Sequence, residues 1–176
     1  MKPTPARRTK QQISDIMRRV KSRDTTPELA FRKALHARGV RYRLHVASLP
    51  GKPDIVIRRA RLLIFIDGDF WHGNQWRRRG HDSLDAQFVA SPRAEYWVGK
   101  IGRNVFRDRE NTSRALAEGW RVLRFWESDI RARLDECVEV AVRAIGDEAS
   151  DALTARADLE SGVDFDTHGK PLRAGN

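Results

Sequence analysis

The chain has 176 residues, 40% of them hydrophobic, with 34 Lys/Arg against 24 Asp/Glu and a formal net charge of +10. That length suits one domain with tails and is enough to bury a core. No apolar run approaches the roughly 20 residues of a membrane span, the basic start lacks the apolar segment of a signal peptide, and a lone cysteine, Cys137, excludes an intramolecular disulfide framework and a cysteine-based zinc cage. The charge is unevenly divided: residues 135–176 hold 4 Lys/Arg against 10 Asp/Glu, leaving 30 against 14 in residues 1–134. A body that binds a polyanion, an acidic tail, and a cytoplasmic, nucleoid-associated location are the expectation.

Residues 1–26 are rich in Pro, Thr, Lys and Arg and read as a basic arm with one short helix near Ser14–Val20. Such arms either enter a DNA groove or remain solvated. A domain is expected over residues 27–146. Thr26-Pro27-Glu28 is a helix start with proline in the first turn, and Leu29, Phe31, Ala34 and Leu35 carry that helix to Gly39. Val40, Tyr42, Leu44 and Val46 alternate as a strand. The stretch Leu49–His72, LPGKPDIVIRRARLLIFIDGDFWH, then reads as a Pro/Gly turn, a buried strand, a basic turn and a second buried strand. Gly73–Pro92 is polar and irregular and reads as a surface loop, in which Arg77, Arg78 and Arg79 are offered to phosphates.

Trp97, Ile101, Val105, Thr112 and Leu116 define a long amphipathic helix over Arg93–Glu118. Gly99 and Gly102 within it signal close packing, while Lys100 and Arg103 lie on other faces as further DNA contacts. Gly119 ends the helix, Trp120–Glu127 (WRVLRFWE) is a buried strand, and Ser128 or Asp129 starts a last helix with Ile130, Leu134, Cys137, Val138, Ala141 and Ile145 on one face. Residues 147–176 are acidic and aperiodic, a partly ordered tail. The order helix, three strands, helix, strand, helix gives an α/β fold, a central mixed sheet flanked by helices.

The hairpin puts Asp54 and Asp67 at corresponding strand ends, with Asp69 two residues further on. Strands this apolar have no structural use for carboxylates at their tips, and the acids repel one another unless a hard cation with oxygen ligands, such as Mg²⁺, sits among them. Phosphodiester hydrolysis needs a nucleophilic water, charge neutralisation on the non-bridging oxygens and a stabilised leaving oxygen. Asp54 is the foremost metal ligand, against a reading in which it only caps its turn, and the Ile66 carbonyl can add an oxygen. Asp67 either touches the metal or supports it from behind, and Asp69 joins the acid cluster or only caps its turn or starts the following segment. His72 can take the water's proton or be an ordinary polar residue. Asp108 can orient His72 or pair with Arg107 or Arg109. Glu28 can join the site or serve as a first-turn helix acid. Phe70 and Trp71 are either core or a wedge between base pairs.

Taken together these residues resemble the very short patch repair (Vsr) endonucleases. The matching segments are TTPE at Thr25–Glu28, LPGKPDIV at Leu49–Val56, IFIDGDFWH at Ile64–His72, EYWVGKIGRNVFRDR at Glu95–Arg109 and GWRVLRFWE at Gly119–Glu127, together spanning roughly residues 10–135. The resemblance implies a restriction-endonuclease-like, PD-(D/E)XK-type core and strand-specific nicking of double-stranded DNA 5′ to the thymine of a T·G mismatch, the product of 5-methylcytosine deamination. It implies Mg²⁺ as cofactor, two ions with DNA bound, and a MutL-type repair protein as a further partner. By position, Asp54 looks like the metal-binding aspartate with the Ile66 carbonyl, His72 the base, Asp108 its orienting acid, Glu28 an acid near the site, and Phe70-Trp71 the pair that enters the DNA.

Two departures stand out. Members of the family hold a structural zinc where this chain has Asp69, Asn74, Trp76 and Ser128, so no structural zinc is expected, and packing around Trp76 is expected to replace it. The lysine that restriction-type nucleases place two residues after their second acid is Asp69 here, which favours His72 as base. Two other readings compete: a Vsr-like nuclease of a restriction or defence system acting on other mismatched, modified or unmodified DNA, and a module that binds distorted DNA without cutting it.

Overall fold

The computed structural model describes residues 23–146 and, beyond them, the backbone of three two-residue strands. The helix expected near Ser14–Val20, like most of the arm and tail, lies outside the described residues. In chain order the elements are α1 (Thr26–Ala37), β1 (Arg43–Leu44), β2 (Ile55–Ile57), β3 (Leu62–Asp67), α2 (Gln75–Arg78), α3 (Leu84–Phe88), α4 (Ala94–Ala117), β4 (Arg121–Trp126), α5 (Glu127–Ala132), α6 (Leu134–Gly146) and β5 (Thr154–Ala155). β6 (Asp164–Phe165) and β7 (Pro171–Leu172) form a separate antiparallel pair.

The sheet runs β1-β2-β3-β4-β5. Its first two pairings are antiparallel and β3 and β4 are parallel, Asp67 lying opposite Trp126. The return from β3 to β4 passes through α2, α3 and α4, as a parallel crossover requires. This is the mixed sheet flanked by helices that the order of patterns predicts, and it has the restriction-endonuclease-like form. Side chains alternate along β3. Leu62 and Ile64 face Phe31, Leu35, Ile130, Val138 and Ala141 of α1, α5 and α6, whereas Leu63 and Phe65 face Val56, Val122 and Ala115 of α4. Each fully buried aliphatic side chain contributes roughly 1.5–3 kcal/mol, so the two strand ends that carry acids are fixed from both faces.

Four expectations are corrected. The strand predicted over Val40–Val46 is paired only at Arg43–Leu44, both exposed, because β1 is an edge and only one side of it is covered. The helix N-cap is Thr25, one residue earlier than expected. The expected loop Gly73–Pro92 contains α2 and α3, because Leu84 and Phe88, one helical turn apart, drop onto Val98 and Ile101 of α4. The last helix is broken at Arg133 into α5 and α6.

Candidate active site

Asp54 reaches its place through a turn that glycine favours. Gly51 has φ +71°, and a Cβ there would lie 3.0 Å from the Phe65 ring and 3.1 Å from Asn111 Cβ, so any side chain would be strained and would push its neighbours aside. The turn delivers Asp54 beside the end of β3, where its Oδ2 accepts the Ile66 N–H at 2.7 Å. Burial is the main force pushing its carboxyl up, to about 7; the Ile66 N–H and Arg32 oppose this, and the charges of Glu28 and Asp67 add to it. A carboxylate held against its own ionisation by burial, with neighbouring acids adding to the effect, is a site that gains by accepting a cation.

At the end of β3, Asp67 is buried and gripped by Arg124 of β4. Arg124 Nε donates to Asp67 Oδ2 at 2.8 Å and Nη2 to Oδ1 at 2.7 Å, a bidentate pair. The same Nη2 lies 3.3 Å from Asp108 Oδ1 on α4. Asp108 Oδ2 in turn sits 2.5 Å from His72 Nδ1, and Asp67 Oδ1 is 3.5 Å from that nitrogen. Nδ1 therefore carries the hydrogen-bonded proton, and Nε2 is the atom left for a reactant. Burial works against the imidazolium of His72, but Asp67 and Asp108 outweigh burial and Arg124, and the His72 pKa is raised. The loop that carries His72 is seated on α4 by Asn104, whose Nδ2 donates to the Trp71 carbonyl at 2.9 Å. Gly73 makes that seat possible: its φ is +81° and a Cβ would stand 3.2 Å from Val105.

Glu28 is 3% exposed and belongs to a second network. It accepts the Asp24 N–H at 2.9 Å and Arg32 Nη2 at 2.7 Å, Arg32 pairs also with Asp24, and Nη2 meets His45 Nε2 at 2.9 Å. A guanidinium only donates, so His45 Nε2 accepts and Nδ1 faces Asp54 Oδ1, 3.9 Å away. Two trios, Asp24/Glu28/His45 and Asp67/His72/Asp108, are compact enough to hold an ion, and each is already paired with an arginine, Arg32 or Arg124. Asp54, beside the Ile66 backbone, has no guanidinium in hydrogen-bonding reach among the described residues.

Phe70 and Trp71 stand edge-on to one another, centroids 4.9 Å apart, and join Trp97 (5.3 Å from Phe70) and Phe88 in an aromatic cluster. Both are half-buried. Lys100 places its ammonium 5.1 Å from the Trp71 ring. Arg77 stacks on Trp76 at 4.5 Å, Arg78 turns toward Asp69, and Arg79 and Arg103 are exposed. Of the four positions where the resemblance implies zinc, Asp69, Asn74 and Ser128 converge: Asp69 Oδ1 accepts Asn74 Nδ2 at 2.6 Å and Ser128 Oγ at 2.7 Å. A carboxylate, an amide and a hydroxyl that bond one another offer neither thiolate nor imidazole and do not fit zinc. Trp76 packs in the aromatic cluster instead. Sequence reasoning passed over Arg124, Arg32, His45 and Asn104. Two of them left a signal: Arg124 is a charge in the middle of an apolar strand, and Arg32 stands four residues after Glu28 on one helix.

Fold and site together define a DNA endonuclease. The family model described as DNA mismatch endonuclease Vsr matches residues 6–78. The type II nicking enzyme V.NmeDIP of Neisseria meningitidis serogroup C is 39% identical over 142 residues, 81% of this chain and 91% of that protein. The type II nicking enzyme V.XorIIP of Xanthomonas oryzae pv. oryzae is 42% identical over 65% of this chain and 79% of its own. DNA mismatch endonuclease Vsr of Escherichia coli is 41% identical over 68% of this chain and 72% of its own length. The chain belongs to the Vsr family. Among the described residues no helix is long and apolar enough to cross a membrane.

Proposed function

We propose that the protein nicks one strand of duplex DNA 5′ to the thymine of a T·G mismatch, with Asp54 and the Ile66 carbonyl holding divalent Mg²⁺, two ions when DNA is bound. One observation supports the hydrolytic reading: Asp54, an acid with no guanidinium in hydrogen-bonding reach among the described residues, feels the charge of Asp67, and Asp67 lies 3.5 Å from the Nδ1 of a histidine that Asp108 holds. A bound Mg²⁺ would neutralise the scissile phosphate and assist the leaving 3′ oxygen. His72 Nε2 takes the proton of the attacking water, and Asp108 holds the ring and stabilises its protonated form. Asp67, with both oxygens on Arg124, supports this pair from behind. Glu28 acts through Arg32 and His45, which flank Asp54. Phe70 and Trp71 leave their half-buried cluster to enter the base stack, and Arg77, Arg79, Lys100 and Arg103 meet phosphates or base edges. A cytoplasmic, nucleoid-associated protein with a MutL-type partner completes the reading, on the strength of the resemblance.

A second reading draws on the relatives named type II nicking enzymes: the same chemistry in the service of a restriction or defence system. The test is cleavage, with Mg²⁺ or EDTA, of duplexes labelled on each strand and carrying T·G, other mismatches or full pairing in several contexts. Metal-dependent cutting confined to the T strand of T·G supports repair, and cutting of paired DNA supports the second reading. Tight binding without cutting refutes both.

A further inference from the structure

The Asp69 side chain is 4% exposed. Its Oδ1 accepts two hydrogen bonds, from Asn74 and Ser128, while its Oδ2 is buried and has no hydrogen-bond partner. The Asp69 backbone carbonyl also accepts the N–H groups of Asn74 (2.8 Å) and Gln75 (3.0 Å). One residue thus closes the loop that carries Phe70, Trp71 and His72 onto the start of α2, and ties it through Ser128 to the first turn of α5. A buried, half-satisfied carboxylate is costly and calls for a counter-charge. The guanidinium of Arg78 supplies it: Nη1 is 3.7 Å from Asp69 Oδ2, and the side chain comes from solvent, 54% exposed. A movement of under about 1 Å would make this a charge-assisted hydrogen bond.

We propose that Asp69 and Arg78 form a latch that sets the position of Phe70, Trp71 and His72, so that Arg78, unlike Arg79, is a positioning residue and not a phosphate contact. The inference rests on the nuclease reading for its consequence but not for its geometry. The three consecutive arginines are thereby divided: Arg77 lies on an indole, Arg78 on a buried acid, and Arg79 is exposed and has no partner among the described residues.

The test uses the full chain with Asp69→Asn, Arg78→Gln, the double variant, Ser128→Ala and Arg79→Gln. Amide hydrogen exchange over residues 70–75 should rise about tenfold or more in both Asp69→Asn and Arg78→Gln, the worth of one charge-assisted hydrogen bond. The double variant should exchange no faster than the quicker single. In duplex-DNA binding, Arg79→Gln should reduce the slope of log affinity against log salt by about one, while Arg78→Gln leaves the slope unchanged. Nicking should lose kcat with KM unchanged in Arg78→Gln. Arg78→Gln with parental amide exchange, or with the salt slope lowered as in Arg79→Gln, overturns the latch. If Asp69→Asn does not fold, Ser128→Ala reports on the other half of the same hub, and parental exchange there overturns the proposal equally. Exchange and salt slope need no cleavage, so the latch is decided even if Asp54→Ala still cuts DNA and the nuclease assignment falls.

Discussion

Asp54→Asn should make the protein more stable while abolishing its activity. The Asp54 carboxyl is raised from 3.8 to about 7, so between those values the folded chain binds a proton more readily than the unfolded chain does. Stability then falls as pH rises through that window. Asp54 costs nothing below about pH 4 and bears its full penalty above about pH 7. A shift of about 3 units at about 1.4 kcal/mol each gives an upper figure of about 4 kcal/mol. With the side chain only 18% exposed, solvent screening removes little of it. At about 2–4 °C per kcal/mol for a chain of this size, the variant should melt up to roughly 8–16 °C above the parent at pH 8 in EDTA. The gap should close at pH 4. An amide still accepts the Ile66 N–H, so the gain is not offset by a lost hydrogen bond. Mg²⁺ should raise the melting temperature of the parent and not that of the variant. A variant that melts at or below the parent at pH 8 would refute the reading of Asp54 as a preformed cation site.

Other outcomes follow from the same geometry. Arg124→Met leaves Asp67 and Asp108 without their buried counter-charge and should cost about 3–5 kcal/mol in urea unfolding, most of it recovered in Asp67→Asn/Arg124→Met; a loss under about 1 kcal/mol would count against the network. His72→Ala should lower nicking by about 10²–10⁴-fold. Because the His72 pKa is raised from 6.5 and the base must be neutral, kcat should fall on the acid side with an apparent pKa above 6.5. Asp108→Asn should move that limb to lower pH, and an unmoved limb would remove Asp108 from its role. Trp71→Ala should keep its binding to paired DNA and lose preference for mismatched duplex, measured by competition; unchanged preference would end the wedge proposal.

The sequence by itself determined the class of fold and the chemistry of its edge. Short continuous apolar runs, a Pro/Gly turn and helical periodicity fix local structure because those preferences act over a few residues. They therefore set two acids at the ends of adjacent strands and predicted the long helix that bears Asp108. The pairing of Asp108 with His72 was offered by the sequence, but the guanidinium that joins Asp108 to Asp67 was not, since Arg124 and Asp67, 57 residues apart, meet only through the register of β3 and β4. The short helices α2 and α3 escaped detection for a similar reason: five residues such as Leu84–Phe88 form a helix only when a neighbour covers their apolar side. Tertiary structure alone decided that Asp67 faces Arg124, that His45 meets Arg32, and that Asp69, Asn74 and Ser128 meet. Electrostatic partnership depends on distance through space, and distance through space is what a linear pattern does not contain.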